Sequence, residues 1–555
     1  MKERPFVFKL FLTMIAAAVL LCGGALPLSA QTTIATMDEI VVTASRAEES
    51  RREVTSNVTI IDENEIAAST ATTLTDLMAQ QGFLVITTGD SSHVQIRGFG
   101  SLSVATEPSN TVLMLVNGRR VGNPSLSLVG LANVERIEII RGPAAVQYGP
   151  SAMGGVINII TKQGRGMDTP SVSVEAGLGS DALHRQRASI GGAGGGFDFA
   201  LGITNYGRDD VTIAEGRRWY GTKIMRNTLL NTDLGYTIAD AHRAGFNFNY
   251  GNNNSTLPGS GFRRGNNPDV QPTEYARKNW NSAFSYDGHT GGKAFNWQAA
   301  YSFGNDDRER TPAGGTTVVT TLKTRTFNAQ TGYTADLVSL SVGVDHVKYT
   351  EQDTENAQRD TGVYFTGKLR LFDERLIFSA GGRYDSYANK KDAVDKEYGN
   401  FGGSVGAAYL PVKWLKLRAN YAEGFKVPTV GNMFGSPPWY APNFDLKPEK
   451  SKTVEFGTDI SSDYIDFGLT YFHSDYKGKI VNLQVTGLDY PYQARNLDAT
   501  LAGLESSFRV DMGKAFKQDY GLTPYISFTW LGTIRNEDES QFINYNGALV
   551  VRRSG

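Results

Sequence analysis

The residues able to do chemistry are few and scattered. Gly402-Gly403-Ser404-Val405-Gly406 has the spacing of a nucleophile elbow, a motif that needs a sharp strand-turn-helix to expose its Ser. Val405, Ala407 and Tyr409 instead carry a period-two strand straight through it, so the match reads as chance. His93, His184, His242, His289, His346 and His473 stand singly, and lone His residues are far more often surface than ligands. No Gly-rich loop ends in Lys-Ser/Thr and no His-Glu-x-x-His occurs. Gly191–Gly196 is glycine-dense but joins two strands, which predicts a hairpin turn rather than a phosphate cradle. In Tyr206-Gly207-Arg208-Asp209-Asp210-Val211 only two acids cluster, too few for a hard cation that takes about six to eight oxygens. No catalytic residue, no metal site and no resident cofactor is expected, and the protein is not expected to be an enzyme.

The elements that hold these residues are bounded first by composition. Across 555 residues, 55 Lys+Arg meet 57 Asp+Glu, a balance that argues against nucleic-acid binding through a bulk basic field. Aromatics at 11% and 61 Gly exclude neither a sandwich nor a barrel but argue against disorder. A mean hydropathy of −0.29 is far too polar for a bundle of membrane helices.

Residues 1–30 read as a secretory signal: Lys2, Arg4 and Lys9, then the apolar run Phe11–Cys22, then small residues to Ala30. The run is shorter than the ~20 residues of a membrane span. Its removal takes Cys22, the one Cys, which suits passage through an oxidising periplasm.

From about Ser171, segments of some ten residues alternate apolar and polar. Val172-Val174-Ala176-Leu178, Phe197-Phe199-Leu201-Ile203, Phe295-Trp297-Ala299-Tyr301-Phe303 and Ile465-Phe467-Leu469-Tyr471 are examples. Roughly 18 such strands are visible, each near the ~9–11 residues that cross a bilayer when tilted. Soluble sandwich strands are shorter, about five or six residues. The fold class is therefore a membrane β-barrel, apolar outside and polar within. Alternation also turns two carboxylates inward: Val454 and Phe456 face lipid around Glu455, and Leu504, Phe508 and Val510 set Glu505 inward.

Residues 50–165 differ. Val58-Thr59-Ile60-Ile61 is strand-like, Thr73–Gln80 is helical with Gly82 as its stop, and four further short strands follow. An α+β domain thus precedes the barrel at 166–555, with 31–49 as a connecting periplasmic segment.

Val94-Gln95-Ile96-Arg97-Gly98-Phe99, Leu115-Val116-Asn117-Gly118-Arg119-Arg120, Val134–Pro143 and Tyr148–Lys162 resemble the plug domain of TonB-dependent outer-membrane receptors. Asn420–Pro428 and Leu446–Ser451, with Glu455 and Gly457, resemble that family's barrel. Asp38-Glu39-Ile40-Val41-Val42-Thr43-Ala44 resembles its TonB box, a short extended segment able to add a strand to a partner's edge; the alternative is a plain N-terminal plug strand.

The resemblance implies a barrel of about 22 antiparallel strands with the α+β plug inside its lumen. It implies a Gram-negative outer-membrane location, outer-membrane lipid around the wall and a TonB-type energy-transducing partner in the inner membrane. Arg97 and Arg141 are implied to pair with Glu455 and Glu505; the alternative leaves both Glu residues facing lumen water. The cargo implied is a ferric siderophore, haem or cobalamin. A small-molecule metal chelate is the expectation, because the Asp209-Asp210 loop runs into basic Arg217, Arg218 and Lys223. Loop residues that would touch it are Ser101, Ser103, Thr106, Asn123, Ser125, Arg263, Arg264, Trp439 and Tyr440, although ordinary loop surface explains any one of them as well. A passive porin is the rival class, and a plug in the lumen would defeat it; a barrel hydrolase lacks a nucleophile constellation. With about 18 strands visible against about 22, and no aromatic after Tyr545, roughly 80–100 residues of barrel are expected to be missing at the C-terminus.

Overall fold

The computed structural model describes residues 41–42 and 49–536, apart from 89–90, 98, 101–110, 121–124, 168, 214–215, 217, 220–221, 258–271, 293, 353–355, 392–393, 436–439 and 486–490. An antiparallel sheet of 18 strands runs from Ser171–Leu178 to Tyr525–Asn536. One of the 18 is the two-residue strand Tyr440–Ala441, and the strands on either side of it, Leu415–Lys426 and Glu449–Ser461, pair directly. The others are mostly 11–20 residues long, as spanning the bilayer at a tilt requires.

Alternation in sequence becomes alternation in space. In Val318–Thr334, Leu322, Thr324 and Thr326 are buried toward the lumen while Lys323, Arg325 and Phe327 are exposed. Outward aromatics meet across strands, as in Phe246 with Phe284 and Phe295 with Tyr333. The connections also sort by end. Ala239–Ala241, Ala335–Leu337, Phe372–Arg375 and Lys413–Trp414 are tight turns on one rim, while the long connections after Arg208, Leu257 and Lys426 leave their strands at the other. Outer-membrane barrels keep short turns on the periplasmic side, which orients the molecule.

Inside lies the α+β domain. Its five-stranded sheet has the order Asn57–Ile61, Val134–Arg141, Gly155–Thr161, Val112–Val116, Arg119–Arg120, with only the third and fourth parallel. The helix Leu74–Gln80 is capped by Thr73 in a full capping box, and Gly82 follows at φ +80°. Leu74, Leu77, Met78, Ile137, Ile139 and Ile157 form its core.

One expectation is corrected. Gly191–Gly194 belongs to the strand His184–Gly194, and only Gly195 and Gly196 make the turn. A Cβ on Gly191 would stand 3.1 Å from Met167 Sδ, and one on Gly192 3.4 Å from Pro170 Cα. These glycines make room for the segment that joins plug to wall. Ser404 lies inside the strand Val394–Val412, opposite Gly381 and Ala422, with no elbow turn around it.

Candidate functional site: buried charge between plug and wall

Arg97 follows the strand Ser91–Ile96 in a turn, at φ 54°, and is 5% exposed. Its guanidinium reaches the wall. Nη2 donates to Glu505 Oε2 at 2.7 Å, Nη1 donates to Glu455 Oε1, and the cation stands 4.3 Å from the centre of the Phe472 ring. Burial alone would lower the Arg97 pKa; the two carboxylates outweigh it and raise it above its ordinary value. Arg141, at the end of Val134–Arg141, places Nη1 3.5 Å from Glu505 Oε1 and its guanidinium 4.4 Å from the Phe83 ring centre. Burial, with Arg97 nearby, lowers its pKa against the pull of Glu505.

Two cations and two anions thus meet where all four are buried and any one alone would be very costly. The wall residues face inward by the strand period: Val454 and Phe456 are 37% and 56% exposed, Glu455 1%. Three participants were not read from the sequence. Asn57 Nδ2 donates to Glu505 Oε2 at 2.9 Å, and Phe83 and Phe472 supply the ring faces. Nothing local marks them, since each meets its partner only through the tertiary fold. Gly142, at φ +88°, is a fourth: a Cβ there would lie 2.6 Å from Glu455 Oε1 and 2.7 Å from Arg97 Nη1.

Further charge contacts surround this one. Plug Arg120 lies 3.8 Å from Asp360 Oδ2 and donates to the Tyr148 carbonyl. Beside it Arg383 bonds Asp345 and Asp385, each at 2.7 Å. Plug His93 is 6% exposed, and burial, with Arg277 and Arg308 of the wall, pushes its pKa down to about 3. At the periplasmic rim Glu49 pairs with Lys368, Glu53 with Arg370 at 2.7 Å, and Arg51 with Asp466 at 2.9 Å. Lys416 Nζ donates to the Arg51 carbonyl at 2.9 Å. Strand alternation alone turns Asp345, Asp360, Arg383 and Asp385 inward, so that signal was present in the sequence.

The other candidates are placed less completely. Val41–Val42 pairs antiparallel with Glu49–Ser50, on the rim of short turns; Asp38, Glu39, Ile40, Thr43 and Ala44 lie outside the described residues. Ser101, Ser103, Thr106, Asn123, Arg263, Arg264 and Trp439 lie outside them too. Ser125 is buried in the plug, its Oγ accepting from Ser92 N at 3.0 Å. Tyr440 rests on Tyr492 at the extracellular mouth, ring centres 5.7 Å apart. Asp209 pairs with Lys223 at 2.8 Å, and Asp210 accepts from Thr222 N. Among the described residues no group of three or more His, Cys, Asp or Glu could hold a metal ion.

A long-stranded antiparallel wall around an α+β plug, joined by buried ion pairs, defines a plugged outer-membrane β-barrel. The chain belongs to the TonB-dependent receptor family: residues 50–156 match the TonB-dependent receptor plug domain and residues 173–552 the TonB-dependent receptor-like β-barrel. It is 26% identical over 523 residues to the vitamin B12 transporter BtuB of Vibrio vulnificus, covering 85% of this chain and 75% of that one. It is 27% identical over 528 residues to a hemin receptor of Yersinia pestis, covering 80% and 72%. The FrpB iron transporter of Neisseria meningitidis superposes with a TM-score of 0.72 at 17% identity, over 87% of this chain and 80% of that one. Members of the family are outer-membrane receptors and transporters of Gram-negative bacteria that work with TonB to take up small solutes such as iron siderophores, cobalamin or haem.

Proposed function

We propose that the solute is a ferric siderophore, taken up as an anionic chelate. The observation that carries this reading is the charge of the extracellular part of the lumen. On lumen-facing positions there, Arg308, Arg310, Lys391, Lys396, Lys426 and Lys479 outnumber Asp306, Glu351 and Glu449. Aromatic rings stand among them: Lys391 Nζ lies 4.9 Å from the Phe434 ring centre, and Lys479 Nζ 6.0 Å from that of Tyr476. A concave cationic wall concentrates an anionic ligand, and ring faces hold its planar parts. Cobalamin carries no such charge, and the relatives named for vitamin B12 and hemin are too distant to fix the solute.

The plug-to-wall ion pairs of Arg97 and Arg141 with Glu455 and Glu505 are, in the same proposal, the lock that holds the lumen shut until the plug is moved from the periplasm. Residues 38–44 are where that partner would pull.

The test is a binding titration of the purified receptor with ferric catecholate and ferric hydroxamate chelates, cyanocobalamin and hemin. A ferric chelate should bind, weaken with added salt, and bind roughly tenfold more weakly to Arg310→Ala/Lys391→Ala. Binding of cyanocobalamin or hemin alone would overturn the substrate assignment.

A further inference from the structure

The wall strands Val338–Glu351, Ala357–Leu371 and Leu376–Lys391 turn three carboxylates into the lumen at nearly one height: Asp345, Asp360 and Asp385. In register, Gly362 stands directly between Asp345 and Asp385. Its missing side chain makes room for a cation, since a Cβ there would overlap Arg383 Nη2 and Asp385 Oδ1. Arg383 therefore lies across the middle strand. It bonds Asp385 on its own strand and Asp345 two strands away, each at 2.7 Å.

Asp360 is served differently. Its nearest cation comes from the plug: Arg120 Nη2 stands 3.8 Å from Asp360 Oδ2 and donates to the Tyr148 carbonyl. Asp360 Oδ1 is buried, and among the described residues no donor meets it. The Asp360 carboxyl instead interacts with a second carboxyl, that of Asp385. The plug closes tightly over the group. A Cβ on Gly149, at φ +79°, would stand 3.0 Å from Arg383 Nη2 and 3.2 Å from Arg120 Nη2.

The charges that face Asp360 are thus Arg120 from the plug and Asp345, Arg383 and Asp385 from the wall. Tyr148 of the plug and Tyr349, Tyr364 and Tyr387 of the same three strands bring hydroxyls but no further cation. Among the described residues, three carboxylates here meet two guanidiniums. Arg97 and Arg141 meet Glu455 and Glu505 two against two. A surplus buried carboxylate is costly, and two carboxylates in contact resist ionising together.

We propose that Asp360 and Asp385 form a proton-binding site, with one proton held between the two carboxyls in the folded receptor at neutral pH. The proton makes one carboxyl a donor to the other and brings the count to two anions against two cations. Its use rests on the function proposed above. When the plug is pulled, Arg120 leaves with it while the proton stays on the wall, so Arg383 faces two anions rather than three. This contact then opens without stranding Asp360 as a bare charge, whereas withdrawal of Arg97 strands Glu455 and Glu505.

The test is infrared spectroscopy of the purified full chain in detergent at neutral pH. Wild type should show the C=O stretch of a protonated carboxyl, shifted in D2O, and Asp360→Asn should lose it. Asp385→Asn should lose it too, because Asp360 then has no like charge beside it and ionises next to Arg120; this variant gives the reading independently should Asp360→Asn fail to fold. Asp466→Asn, at the periplasmic rim, should keep the band. Asp360→Asn should melt at or above the temperature of wild type, since an amide replaces a neutral acid of the same shape; an ionised Asp360 paired with Arg120 would make the same variant less stable. Raising the pH should remove the band from wild type and lower its melting temperature relative to that of Asp360→Asn. A protonated-carboxyl band unchanged in both Asn variants, or a lower melting temperature for Asp360→Asn at neutral pH, would overturn the site. Neither readout involves a solute or a periplasmic partner, so that failure would leave the uptake reading standing.

Discussion

At the residue scale, Gly142 shows how closely plug and wall meet. Its φ of +88° is unfavourable for any side chain, and a Cβ would enter the space between Glu455 and Arg97. Gly142→Ala should lower plug stability by about 2–3 kcal/mol, from strain and displaced charge together. Gly118→Ala is the control: φ is +74° but nothing lies within 4 Å of its Cβ, so only the backbone cost of about 1 kcal/mol remains. Calorimetric melting of the two variants checks the difference. Arg97→Ala should cost about 3–5 kcal/mol because it strands buried Glu455 and Glu505, and adding Glu455→Gln should recover part of that. Trypsin cleavage within the plug reads both. His93 gives a pH dependence whose sign is fixed. Its folded pKa, about 3, lies below the ordinary His value, so the unfolded chain takes up a proton that the folded plug refuses. Its contribution to stability is full above pH ~6.5 and is lost progressively as pH falls toward 3. His93→Gln should flatten that part of the melting profile, and the His93 imidazole signal should stay neutral at pH 5 by NMR.

At the element scale, the segment Glu49–Val54 is fastened to the rim by charges of alternating sign: Glu49 to Lys368, Arg51 to Asp466, Glu53 to Arg370. These pairs are partly buried, so Lys368→Ala/Arg370→Ala should loosen the segment by about 1–3 kcal/mol. A spin label at Ser50 should gain mobility while hydrogen exchange of the plug sheet is unchanged. What the sequence disclosed at this scale follows from period. A strand that divides lipid from lumen must alternate, so the wall strands and the inward turn of Glu455 and Glu505 were readable from neighbours alone. The glycines of His184–Gly194 misled because glycine in a row looks like a turn. Their small size serves a close approach by Gly164, Met167 and Pro170, and no pattern within the strand shows that. Asn57, Phe83 and Phe472 were unreadable for the same reason: their partners lie far along the chain. The expectation that C-terminal strands are missing turns on residues 537–555, outside the described residues.

At the scale of the molecule, the fold sets the proposed cargo mouth and the proposed point of pull on opposite rims. The cationic lumen mouth opens on the side of the long connections, and Val41–Val42 with Glu49–Ser50 lies on the side of the tight turns. Between them stands a plug whose sheet core is intact and whose charges are answered by the wall. In the function proposed above, a solute bound at the mouth passes only when the plug is displaced from below. The short pairing of Val41–Val42 is two residues long, too little to resist a partner strand that offers more backbone bonds. Deletion of residues 38–44 should therefore abolish uptake of the bound solute in cells, while affinity at the surface stays within about twofold, because Val41–Val42 lies on the opposite rim from the proposed binding mouth. Whole-cell uptake and surface binding of the same radiolabelled ferric chelate measure the two sides separately. Uptake that survives the deletion would mean that solute crosses without a pull on the plug, as in a passive pore. Loss of both would mean that the periplasmic rim also shapes the mouth, in conflict with the separation seen here.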